Sequence, residues 1–167
     1  MNKASLAPVW DMMRLRHGIG LRCIQALPAD QIDAKPITGM RSPKELAVHM
    51  YGFIRAAAES VLAGTISMDE KVEIAKVNSK AELVAYANTC WQAADAAFAK
   101  LTDAQLAAMV KAPWGDMPGF MMITTIPDEY LHHRGQFYAM LRQLGVEPPM
   151  NWDFEHNAPE LQPKQHA

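Results

Sequence analysis

The apolar residues of this chain recur at steps of three and four along nearly its whole length, which restricts it to a fold built from packed helices. Leu6, Trp10, Met13, His17, Gly20, Ile24 and Leu27 form the first such stripe, and Pro28 ends it. Ser42-Pro43-Lys44-Glu45 opens the second segment with a capping box and a proline at the first helical position. Its inner stripe is Leu46, His49, Met50, Phe53, Ala57 and Val61, and Gly64 suits the C-terminal cap. A third segment opens with the same device at Ser79-Lys80-Ala81-Glu82 and carries Leu83, Ala87, Cys90, Ala94, Ala97 and Leu101 on one face. A short helix is expected from Asp103 to Met109, and the run KAPWGDMPG at 111–119 breaks the pattern. The last helix is predicted from about Pro118 to Leu144, kinked roughly one turn before Pro127. No stretch alternates convincingly with period two. Four long helices without a strand partner predict an all-α, four-helix bundle with a short extra helix before the last long one.

The length of 167 residues fits a single domain, with a helical bundle over 1–146 and a proline-rich tail over 147–167 read as an extended strap. Lys and Arg number 16 against 18 Asp and Glu, so there is no basic excess to neutralise phosphates, and no nucleic-acid partner is expected. No apolar run approaches the ~20 residues that cross a bilayer, and the first residues lack a signal-peptide pattern, so the expectation is a cytoplasmic protein without a membrane partner. Cys23 and Cys90 lie far apart and form no CxxC pair, which argues against a disulfide scaffold or a thiolate zinc site.

Chemistry is sought where a polar side chain occupies a stripe position. His49 lies between Leu46 and Phe53, where a buried imidazole needs either a hydrogen-bonding neighbour or a metal ion. In the last helix Met122, Ile126, Glu129, His133, Phe137, Met140 and Leu144 share one stripe. Glu129 and His133 are one turn apart, so a carboxylate oxygen and an imidazole nitrogen can converge on one ion. The plainer reading is an acid–histidine pair on a solvated face. His17 sits on an apolar stripe as a further ligand or a hydrogen-bonded core histidine. His132 points to the more polar side, beside the ligands or on the surface. Arg134 and Gln136 are substrate contacts or exposed helix residues, and His156 and His166 are expected to be solvated. Gly20, Gly52 and Gly135, each within three residues of a stripe histidine, permit either close helix packing or the approach of a substrate. Met109, Met117, Met121 and Met122 fill the core or line a pocket for an apolar electrophile.

These residues resemble the DinB-like, or YfiT, superfamily of metal-binding four-helix bundles. The resemblance is carried by Ser42-Pro43-Lys44-Glu45-Leu46-Ala47-Val48-His49, by Glu129-Tyr130-Leu131-His132-His133-Arg134-Gly135-Gln136, by Trp114-Gly115 and by the run from Leu141 to Pro149. It implies a divalent ion held by one residue of the second helix and two of the last, four apart. His49 and His133 match two of the family's three histidines, and Glu129 stands where the family has the third. Two imidazoles and a carboxylate suit zinc or nickel, and also iron(II).

The resemblance further implies a metal-dependent transferase that activates a low-molecular-weight thiol for attack on an electrophilic substrate, and a homodimer. Metal-assisted hydrolysis, with Glu129 as ligand or general base, and a non-catalytic bundle stabilised by its metal or polar cluster are the other readings.

Overall fold

The computed structural model describes residues 1–163. In chain order its elements are α1 (Lys3–Ala26), α2 (Pro43–Ala63), α3 (Glu70–Ala75), α4 (Lys80–Lys100), α5 (Asp103–Ala107), β1 (Met109–Val110), β2 (Met117–Pro118) and α6 (Gly119–Gln143). The four long helices form the bundle that the apolar spacing predicts. Its ends are set by local chemistry. Ser42 and Glu45 close the reciprocal capping box of α2, Pro43 is its first helical residue, and Gly64 ends it in the left-handed region at φ 77°. At the end of α6 the Val146 amide donates to the Leu141 carbonyl and the Gly145 amide to that of Arg142, a Schellman closure around Gly145 at φ 75°. The helix is continuous through Pro127. At Ser79 the expected device is half realised: its hydroxyl accepts from the Glu82 amide, but the Glu82 carboxylate takes the amide of Asn78 instead.

Helices α1 and α2 each pack against both α4 and α6. Lys3 reaches the Ala99 carbonyl and Lys80 that of Gln25, so α1 and α4 are antiparallel. Gly20 lies against Tyr130, and Cys23 against Tyr138, so α1 and α6 are parallel. His49 faces His133 while Val61 abuts Gly119, so α2 and α6 are antiparallel. It follows that α2 and α4, which are neighbours, run in the same direction. A helix of 21 residues is about 32 Å long, so the chain from Gly64 to Ser79 must travel back over that distance.

The return is made as an extended stretch alongside α2. Ile66 and Met68 are partly buried, and Thr65, Ser67 and Asp69 on either side of them are exposed. This is period-two alternation where the sequence reading finds none, because it spans only a few residues. Its first residues are pinned to the segment before α6. The Ile66 amide donates to the Lys111 carbonyl at 3.0 Å and the Lys111 amide to that of Gly64 at 2.9 Å. The expected helix to Met109 also needs correction. It stops at Ala107, and Met109 and Val110 pair antiparallel with Pro118 and Met117, because Pro113 and Gly115, at φ 131°, turn that break into a small hairpin.

One contiguous cluster of buried apolar side chains joins all four long helices. The described part of the tail straps α1: Asp153 takes the Arg22 guanidinium at 2.7 Å, Asn157 donates to the Leu15 carbonyl at 2.8 Å, and Leu161 is buried. His156 is exposed and bonded to Asp153; His166 lies outside the described residues. No helix among the described residues is long and apolar enough to cross a membrane.

Candidate metal centre

Helix α2 presents His49 and helix α6 presents Glu129 and His133 to the same point. One donor atom from each of the three lies within 4.8 Å of the others. The two imidazoles meet edge to face, with ring centroids 4.7 Å apart, and Glu129 Oε2 is 3.2 Å from His133 Nε2. Donors bound to one tetrahedral ion at about 2.0–2.2 Å stand roughly 3.4 Å from each other, so small side-chain adjustments bring all three onto a cation.

Each imidazole is fixed by a second partner. His49 Nδ1 is 2.7 Å from Glu70 Oε2. A carboxylate only accepts, so Nδ1 carries a proton and Nε2 is the nitrogen turned out for a metal. Glu70 is held in turn by Arg41. Burial works to raise the Glu70 carboxyl, but the bonds from Arg41 and His49 outweigh it and keep the group below its ordinary value, hence ionised. His133 Nδ1 lies 3.1 Å from Gln136 Oε1, and the Gln136 amide reaches His132 Nε2 at 3.0 Å. A carbonyl oxygen also only accepts, so His133 likewise turns Nε2 toward Glu129. Burial depresses the His133 imidazole; the Gln136 bond opposes this and the neighbouring His49 adds to it, leaving the ring below its ordinary value. Two imidazoles with Nδ1–H groups held from behind, and a carboxylate beside them, are what a divalent ion demands of its ligands.

The expected residues divide clearly. His49, Glu129 and His133 come together, and Gln136 and His132 stand behind His133. The Glu129 side chain is 42 % exposed against 12 % for His133 and 21 % for His49, so the carboxylate forms an open rim. His17 is not a ligand. It is fully buried between α1, α2 and α4, 3.2 Å from the Tyr51 hydroxyl and stacked on Trp91. Arg134 does not face the three donors and is not exposed. Turned about 100° from His133, it is 5 % exposed, lies over the rings of Tyr130 and Tyr138, and binds Asn151 of the tail.

Of the stripe glycines, Gly20 and Gly52 serve packing, since an added Cβ would lie 2.1 Å from the Tyr130 hydroxyl and 2.9 Å from Met68 Sδ, respectively; Gly135 faces open space. Glu70 and Arg41 were missed altogether. Glu70 opens the short α3 directly after the N-cap Asp69, so no stripe position marks it in the sequence.

A family model described as the DinB family matches residues 15–164. Among solved structures, the chain is similar to a DinB-like protein from Bacillus subtilis, with 19 % identity over 81 % of this chain and 91 % of that one and a TM-score of 0.66. A DinB-family protein from Exiguobacterium sibiricum shares 24 % identity over 87 % and 97 % of the two chains, with a TM-score of 0.61. YfiT from Bacillus subtilis, described as a probable metal-dependent hydrolase with an unusual four-helix bundle topology, shares 14 % identity over 83 % and 87 %, with a TM-score of 0.64. These identities speak for the fold alone. No curated protein matches the chain. With a family model that spans nearly all of its bundle and both ligand-bearing helices, the chain belongs to the DinB family.

Proposed function

We propose that the protein is a metal-dependent transferase that joins a low-molecular-weight thiol to an electrophilic small molecule, with His49, Glu129 and His133 holding a divalent ion. The donor set suits zinc or nickel first and iron(II) next. The observation that carries this reading is a three-donor cluster whose imidazoles are oriented from behind while its carboxylate stands at an open rim. An ion bound there supplies Lewis acidity, which lowers the pKa of a coordinated thiol toward neutrality. Glu70 and Gln136 hold the two rings in their ligating orientation. Glu129, half in solvent, meets the incoming substrate first.

Replacing His133 by alanine is expected to reduce bound metal to less than about a tenth and to abolish thiol conjugation. Unchanged turnover in that variant overturns the mechanism.

Hydrolysis is the second reading, favoured by the description of YfiT and by the exposure of Glu129. There Glu129 accepts a proton from the attacking water. Under that reading Glu129→Gln keeps the metal and loses hydrolytic rate. Under the first, the same variant weakens metal binding.

A further inference from the structure

Four residues after His49 on the same face of α2 stands Phe53, and three further on Ala56. They floor a cavity of about 130 Å³ whose other walls are Ile66, Met68, Pro113 and Trp114. Trp114 roofs it, its ring centroid 6.2 Å from that of Phe53, while remaining 56 % exposed. The walls are not free to drift apart. The two backbone bonds between 64–66 and Lys111 tie the extended stretch to the hairpin that carries Trp114, and that stretch leads into α3, whose first residue, Glu70, meets His49. Phe53 and Ala56 lie about 6–10 Å along the helix axis from His49. None of Met109, Met117, Met121 and Met122 lines this cavity; Met122 is buried in the core, and Met109 and Met121 are exposed.

We infer that this cavity seats the apolar group of the electrophilic substrate: one unsubstituted ring, or a branched chain of about four to six carbons, since an apolar cavity of roughly 150 Å³ holds benzene. The inference rests on the reading of His49, Glu129 and His133 as the reaction centre, and it specifies a substrate whose reacting carbon is joined to that group by a short linker. Larger cavities serve this less well. One of about 750 Å³ between α6 and the tail is walled by Arg134, Tyr138 and Arg142, which lie on the sides of α6 turned away from His133.

The test uses fluorobenzene as the probe, followed by fluorine NMR on the full chain with and without cobalt(II). The wild type is expected to bind it saturably. Ala56→Leu, which fills the cavity, and Trp114→Ala, which removes a wall that is itself largely exposed, are each expected to weaken binding by about tenfold or more. Bound cobalt, quantified by metal analysis, is expected to speed relaxation of the fluorine nucleus in the wild type. No saturable binding, equal binding in both variants, or relaxation indifferent to bound cobalt overturns the inference. Failure of the metal reading is distinguishable: cobalt then does not bind, whatever the probe does.

Discussion

At the scale of single residues the site depends on groups that never reach the ion. Glu70 fixes the tautomer and direction of His49, and such partners of metal-binding histidines typically contribute 10–100-fold in affinity. Glu70→Ala is therefore expected to weaken divalent-metal binding by about that factor while the helical circular-dichroism signal is unchanged; isothermal titration with zinc measures it. His17 gives a different prediction. Burial drives its imidazole down to about 3, with the Asn88 bond opposing and Arg14 assisting, so the fold holds it neutral. Its contribution is complete above about pH 6.5 and is lost as the pH falls toward 3, because only the unfolded chain takes up the proton. Between about pH 5.5 and 4 urea unfolding is expected to lose stability by about 1.4 kcal/mol per pH unit from this residue, a slope that His17→Phe flattens. The sequence marks His17, His49 and His133 alike as polar groups on apolar stripes. It does not tell a core histidine from a ligand, since that depends on whether a second helix brings another donor to it.

At the scale of elements the helices were legible because their signals are local. The capping box at Ser42, the glycine after α2 and the closure at Gly145 all follow from a few adjacent residues. The return strand was not legible, because its reason for existing is the parallel packing of α2 against α4, a relation between distant segments. Gly52 is where it comes closest, with an added Cβ 2.9 Å from both Met68 Sδ and the Tyr86 hydroxyl. Gly52→Val is expected to push Met68 outward, to displace Glu70 with it, and to weaken zinc binding although the residue touches no ligand. Gly20→Ala meets the Tyr130 and Tyr51 hydroxyls at 2.1 and 2.5 Å, deep in the core, and is expected to cost about 1–3 kcal/mol in thermal or denaturant unfolding. The two glycines look equivalent in the sequence. Only the packing separates a variant that loosens the site from one that loosens the fold.

At the scale of the molecule, the bundle places its donors on α2 and α6, two antiparallel helices that meet at their ligand-bearing turns. Metal binding is thereby coupled to the packing of the whole fold. A ligand that binds the folded chain alone stabilises it by about 2.7 kcal/mol at a hundred times its dissociation constant. Zinc is therefore expected to raise the melting temperature, and chelator to reverse the shift. The decisive measurement is the metal stoichiometry of untagged protein, by elemental analysis and by titration of the chelated chain. The account predicts one divalent ion per chain, lost in the His49→Ala and His133→Ala variants while both remain folded. A wild-type chain that takes up no ion, or variants that bind it as well as the wild type, would contradict it.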